Sequence, residues 1–264
     1  MLSRLYSLML RYSFKPNPKF NQNFIINKKI IDRVIEITDI SKEDIILEIG
    51  PGIGFLTSEL LDKSKEVIAV EKDINMVNIL KDIFKNKDQL NIINEDFLNT
   101  NLDQLKFNKI VGFIPYSISQ KIIYKINNIC QSVLIVQKEF ANKLLSQEGF
   151  ENYNAISVIS QTYNNIKVHN KIGKSSFFPA PKCESVIIEL TPKSFKLDAR
   201  YNLFVKEIFR YSNKDLSKAI KLSNKILKID LKFFEENISD NLKSRKVKLL
   251  NVKEIKDIYS KLYK

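Results

Sequence analysis

"DIILEIGPGIGFLTSELL", residues 44–61, decides the fold. Residues 45–49 form a short apolar run, three glycines follow at Gly50, Gly52 and Gly54, and a helical pattern begins at once. Strand, glycine turn and helix in that order make a nucleotide-type binding corner. The glycines let the chain turn tightly and let a ligand approach where a Cβ would collide.

The corner is a weak signal alone, because it does not match G-x-G-x-x-G: Phe55 follows GPGIG directly. A turn this short leaves less room for a pyrophosphate, and the acid Glu48 precedes it. Further along, "VIAVEKD" (67–73) ends a second apolar run on Glu71, placed to accept hydrogen bonds from both ribose hydroxyls of a nucleoside cofactor. "NIINEDFLN" (91–99) ends a third with Asp96, placed to meet a cofactor adenine amino group. The short turn and Glu48 favour S-adenosyl-L-methionine over a dinucleotide, and three successive strand ends with suitable polar chemistry are far more specific than any one.

Outward from this core, short apolar runs alternate with helical patterns, which argues for an α/β fold with a parallel sheet. The expected strands are 45–49, 67–70, 91–93, 109–112, 132–136, 164–169 and 185–190, and the expected helices 54–63, 74–85, 118–127 and 139–146. After Thr191-Pro192 the pattern becomes helical, with periodic Leu, Ile and Phe among lysines. This sets a boundary near 193, giving a cofactor-binding domain over 1–193 and a basic helical domain over 194–264.

The net charge of +13 is unevenly spread. Residues 1–29 carry six Lys/Arg and no acid, residues 195–264 carry 18 basic and 9 acidic residues, and the stretch between is close to neutral. Basic ends on a neutral core fit a polyanionic partner gripped through phosphates. Cys130, Cys183 and His169 are isolated, so neither a metal site nor a disulfide framework is expected. His169 is expected at the surface or at a strand end. No apolar run approaches a membrane span. The start, "MLSRLYSLMLRYSF", reads as an amphipathic helix, and its composition also fits a mitochondrial transit peptide.

"VGFIPYSIS" (111–119) carries the reaction signal. An exocyclic adenine amine is a poor nucleophile because its lone pair is delocalised into the ring. Its methylation needs acceptors that draw on the amine hydrogens. The carbonyl of Ile114, aimed by Pro115, can be one. Tyr116 can stack on an extruded base, and so can Phe177 from "FFPAP" (177–181). Positioning does most of the work in such a site.

These segments together resemble the KsgA-type rRNA adenine N6-dimethyltransferases, whose relatives include the Erm methylases and the mitochondrial transcription factor B proteins. The resemblance rests on "KPNPKFNQNFII", "LEIGPGIGFLT", "VIAVEKD", "NEDFL", "VGFIPYSIS", "VQKEFANKLL" and "FFPAPKCESVIIEL", in that order, over roughly residues 10–192. It implies a Rossmann-like class I methyltransferase fold, a mostly parallel seven-stranded sheet followed by a small all-helical domain. It implies S-adenosyl-L-methionine as cofactor, small-subunit rRNA within a pre-ribosomal particle as partner, a cytoplasmic monomer, and no metal. Asn23 and Ile25 would close over the cofactor, Gly50 would line its methionine end, Glu71 would hold the ribose and Asp96 the adenine. Phe113 would border both cofactor and target base.

The chain departs from the family's pattern twice. Asn21 stands where Gly is usual, a mild change if the backbone there is left-handed. Phe113 stands where Asn is usual, which removes the expected side-chain acceptor for the target amine. Two alternatives follow: an rRNA-binding assembly or transcription factor that has lost catalysis, and an Erm-like enzyme acting on large-subunit rRNA.

Overall fold

The computed structural model describes residues 1–20, 22–195 and 198–263. The expectation for Asn21 lies outside the described residues. In chain order the elements are α1 (Leu2–Arg11), β1 (Phe24–Ile25), α2 (Lys28–Thr38), β2 (Ile45–Ile49), α3 (Phe55–Lys63), β3 (Glu66–Glu71), α4 (Ile74–Ile83), β4 (Leu90–Asn94), β5 (Lys109–Phe113), α5 (Ser119–Ile126), β6 (Gln131–Gln137) and α6 (Lys138–Leu145). They continue with α7 (Ala155–Tyr163), β7 (Asn164–Ile172), β8 (Phe177–Phe178), β9 (Ser185–Pro192), α8 (Ala199–Phe209), α9 (Leu216–Leu227), α10 (Leu231–Asn237), α11 (Asp240–Ser244) and α12 (Val252–Leu262).

Seven strands form one sheet in the order β4-β3-β2-β5-β6-β9-β7. From β4 to β6 every pairing is parallel, and β9 then runs antiparallel to β6, with Ile135 opposite Ile187. Strands buried on both faces need near-continuous apolar sequence. Ile46, Leu47, Val67, Ala69, Ile110, Val111, Val133 and Leu134 supply it, each fully buried. The chain leaves β2 toward β3 and β4, then returns to place β5 on its other side. That reversal opens a crevice beyond the carboxyl ends of β2 and β5, where open α/β sheets bind ligands.

The chain divides into two compact units, Met1–Ala141 with Lys167–Pro192, and Asn142–Ile166 with Lys193–Lys264. In the first unit α1 is an amphipathic helix that buries Leu5 and Leu8 in the same apolar cluster as Val67, Leu80 and Val133. Arg11 pairs with Asp82 on α4 at 2.9 Å, and the Tyr12 hydroxyl donates to the same carboxylate. Asn27 caps α2 by accepting from the Lys29 N–H, and Asp73 caps α4 by accepting from the Asn75 N–H. β1 and β8 form a separate two-stranded antiparallel sheet, with Ile25 opposite Phe177.

The second unit is helical. Tyr163, Tyr201, Phe204, Tyr259 and Tyr263 form a chain of ring contacts, and the Tyr153 hydroxyl donates to the Leu250 carbonyl at 2.9 Å. These contacts explain why residues 142–166, which the sequence reading places with the sheet, group with 193–264. α7, absent from the expected helices, is buried on nearly every side, with Ser157, Ser160 and Thr162 buried beside Ile156, Val158 and Ile159, so it has no amphipathic stripe to announce it. His169 is neither at the surface nor at a strand end. It sits inside β7, its side chain 7% exposed, with Nε2 2.9 Å from Glu189 on β9.

Candidate active site

The crevice holds a cleft of about 830 Å³, counting its open mouth, lined in part by Asn23, Ile25, Gly50, Glu71, Phe113, Ile114, Pro115 and Tyr116. Eight of the residues expected to act together therefore share one space. Its floor is the glycine turn. Gly50, Gly52 and Gly54 have φ of +67°, +57° and +82°, which L side chains rarely adopt. A Cβ at Gly54 would lie 2.5 Å from the Phe84 ring, so this glycine lets α3 pack on α4. Gly54 is also the N-cap of α3 and offers no side chain to its first-turn amides, which suits a ligand at the helix start.

Gly112, on β5, stands beside the cleft, opposite Ile49 of β2. A Cβ there would sit 2.6 Å from the backbone oxygen of Ile49, which cannot move without parting β2 from β5. Gly112→Ala is therefore expected to cost about 1–3 kcal/mol of stability. Thermal unfolding with and without S-adenosylmethionine checks this, and an unchanged melting temperature would contradict it.

Glu71 ends β3 with its carboxylate aimed back at the turn. The Gly52 N–H donates to Oε2 at 3.1 Å and the Asp73 N–H donates to Oε1 at 2.8 Å. Each oxygen keeps acceptor capacity for a ribose hydroxyl. Burial pushes this carboxyl upward, and the two backbone donors oppose the shift. Asp73 also accepts from Gln22 Nε2 at 2.7 Å, and Gln22 Oε1 accepts from the Asn17 N–H at 2.8 Å. This chain ties the "QNF" segment to the start of α4. Gln22 and Asp73 had no role in the sequence reading, because only the fold brings residues so far apart in the chain together.

Asp96 follows β4 and does not line the cleft. Lys72 lies 2.8 Å from Oδ2 and holds its carboxyl below the usual range, helped by the Leu98 N–H.

On the reaction side, Tyr116 is half-buried, and its hydroxyl lies 2.5 Å from Ser185 Oγ. Burial pushes that phenol upward, so it stays neutral. Phe177 is 2% exposed, and the Phe113 ring stacks on it with centroids 4.9 Å apart and planes 28° apart. Phe113 also meets the Tyr116 ring edge-on at 5.9 Å. The aromatic face expected to receive a base is thus already covered by the residue that replaces the usual Asn.

The donor set discriminates between cofactors. The lining includes Glu48 and Glu71 and, among the described residues, no Lys, Arg or His. A pyrophosphate would meet two acids and no cation. A sulfonium nucleoside would meet acceptors for its ribose, glycines that admit close approach, and carboxyl groups able to answer its positive charge. The residues fit S-adenosylmethionine.

Sheet order, crevice and cleft chemistry together define a class I S-adenosylmethionine-dependent methyltransferase. The model of the family described as "Ribosomal RNA adenine dimethylase" matches residues 13–262. The chain is 34% identical over 262 residues to a protein of Pyrococcus abyssi, covering 98% of this chain and 96% of that one. It is 37% identical over 266 residues to a protein of Thermococcus sibiricus, with the same shares covered. Both carry the description "Probable ribosomal RNA small subunit methyltransferase A". Among solved structures, a dimethyladenosine transferase from Plasmodium falciparum superposes with a TM-score of 0.76 at 24% identity, covering 89% of this chain and 95% of that one, which supports the fold. The chain belongs to the ribosomal RNA adenine dimethylase family, and it is a methyltransferase that uses S-adenosyl-L-methionine.

Proposed function

We propose that the protein methylates the N6 amine of adenosines in small-subunit rRNA, adding two methyl groups, during assembly of the subunit. The observation that carries this reading is the single cleft in which the Gly50 turn and Glu71 face Ile114, Pro115 and Tyr116. The descriptions of the Pyrococcus abyssi and Thermococcus sibiricus relatives support the small subunit over the large one.

When bound, the cofactor supplies an electrophilic methyl group. Asn23 and Ile25 cover it from the N-terminal segment, Gly50 borders its methionine end and Glu71 takes the ribose hydroxyls. Asp96 would reach the cofactor adenine once freed from Lys72. On the other side, Tyr116 stacks on the extruded adenine, its ring angle fixed by the bond to Ser185. The Ile114 carbonyl accepts a hydrogen from the amine and keeps the nitrogen lone pair toward the methyl group. Phe177 acts through the ring of Phe113.

The basic N-terminal segment and the helical unit would hold RNA by its phosphates. Binding of an rRNA fragment is then expected to weaken with salt, with log K falling by about 0.7–0.9 per decade of salt for each phosphate contact. A flat plot would sink the phosphate-grip assignment. No helix among the described residues is long and apolar enough to cross a membrane. A cytoplasmic monomer is part of the proposal, and sedimentation of the free protein checks the oligomeric state. Unmethylated small and large subunits, offered separately with labelled cofactor, test the substrate. Label in small-subunit rRNA is expected, and label confined to the large subunit would replace this reading with an Erm-like one.

A further inference from the structure

Glu48 lines the same cleft, yet none of the contacts to cofactor or base described above is assigned to it. It is 1% exposed. In the sheet it stands between Ala69 on β3 and Val111 on β5, neither of which is polar. Its hydrogen-bond partner among the described residues is Thr57 on α3, whose hydroxyl donates to Oε2 at 2.7 Å. A buried carboxylate with one neutral donor is poorly compensated.

Among the described residues, no cation on the surrounding elements offsets it. β3 contributes Glu71, a like charge, and α4 contributes Asp73 at its cap. The N-terminal segment presents neutral Gln22, Asn23, Phe24 and Ile25 to the cleft, β5 presents Phe113, and α3 presents Phe55 and Leu56. Arg4 of α1 stacks over the Phe55 ring at 5.6 Å. Burial, opposed by the Thr57 bond and reinforced by Glu71, pushes the Glu48 carboxyl up to about 8. Near neutral pH the free protein therefore holds Glu48 protonated.

The two forms of the cofactor differ in charge. The methyl donor carries a sulfonium, an ammonium and a carboxylate, for a net charge of one positive. The product is a thioether and has lost the sulfonium charge.

We propose that Glu48 makes the cofactor site charge-selective, releasing its proton to solvent when the cationic methyl donor enters and taking one back once the neutral product is left. The site would then prefer donor over product, and product would leave more readily. An ion pair close enough to draw off that proton is worth about one to two powers of ten in affinity at the effective dielectric of a protein site. The inference rests on the assignment of this cleft to S-adenosylmethionine.

Isothermal titration calorimetry of the full chain tests it, with S-adenosylmethionine and S-adenosylhomocysteine each titrated in buffers of different ionisation enthalpy. The ligand's own α-amino group titrates in a similar range, so the readout is the difference between wild type and Glu48→Gln with the same ligand. At pH 7 the wild type is expected to release up to about one more proton than the variant on binding the donor. Glu48→Gln is expected to reduce the donor-to-product preference about 10- to 100-fold. Thr57→Val removes the one bond that favours the ionised form, so its proton release should persist to higher pH than in the wild type. Equal proton release and an unchanged preference in Glu48→Gln, or an unshifted profile in Thr57→Val, would overturn the proposal. Failure of the wild type to bind either ligand would overturn the cofactor assignment beneath it.

Discussion

Replacing Phe113 with Asn is expected to raise the single-turnover rate of methyl transfer by about 10²–10³-fold, the scale of one preorganised hydrogen-bonding group in an active site. Two effects combine. Asn supplies a side-chain acceptor beside the Ile114 carbonyl, so the amine hydrogens are held by two groups. It also removes the ring stacked at 4.9 Å on Phe177 and meeting Tyr116 edge-on. A base inserted between two aromatic faces needs about 7 Å between them, twice the thickness of a π system. Phe113 and Phe177 are therefore too close to admit one, and adenine can use the Phe177 face directly only when the Phe113 ring is gone or turned aside. Phe113→Ala separates the contributions, because it opens the slot without supplying an acceptor. The order expected is Asn fastest, Ala between, wild type slowest, in rapid-quench experiments with saturating cofactor. Equal rates for all three would mean that residue 113 neither gates nor assists the reaction. Phe113 is only half-buried, so loss of its packing is expected to cost about 1–3 kcal/mol, a cost that a thermal melt of each variant monitors.

The second large effect is expected at Glu71. Glu71→Ala should raise the dissociation constant for S-adenosylmethionine about 100-fold, roughly 2–3 kcal/mol for two lost hydrogen bonds to a charged group. The loss extends beyond the ribose. The Gly52 and Asp73 N–H groups, now donors to Glu71, would lose their acceptor, and the turn would keep only the backbone bond from Gly50 N–H to the Val70 carbonyl as a tie to β3. Glu71→Gln keeps one acceptor oxygen and should fall between wild type and Ala. Calorimetry measures all three, and wild-type affinity in Glu71→Ala would remove Glu71 from the cofactor site.

Most of the sheet could be read from sequence because β2, β3, β5 and β6 are buried on both faces and so are written as continuous apolar runs, while β4, at the sheet edge, is only partly buried. The glycine turn was legible for a similar reason: a left-handed backbone next to a ligand leaves few residues but Gly. The reaction corner at 113–116 was legible as a motif, but its packing was not. Phe113 on Phe177, and Ile25 opposite Phe177 in the small sheet, join positions far apart in the chain, and nothing local marks such contacts. Asp96 shows the converse. Its place at a strand end was correctly read, yet the ion pair with Lys72 depends on where one lysine side chain swings. α7 was missed because a helix buried on almost all sides lacks the periodic stripe that reveals most helices.

Transfer of methyl groups from S-adenosylmethionine to adenine N6 in rRNA is the activity proposed for this cleft. The most direct measurement is mass spectrometry of nucleosides from unmethylated small subunits incubated with the protein and the cofactor. The expected product is N6-methylated adenosine, ending as the dimethyl form on long incubation and arriving faster with Phe113→Asn. Unmodified adenosine throughout, from wild type and Phe113→Asn alike while calorimetry shows the cofactor bound, would contradict it.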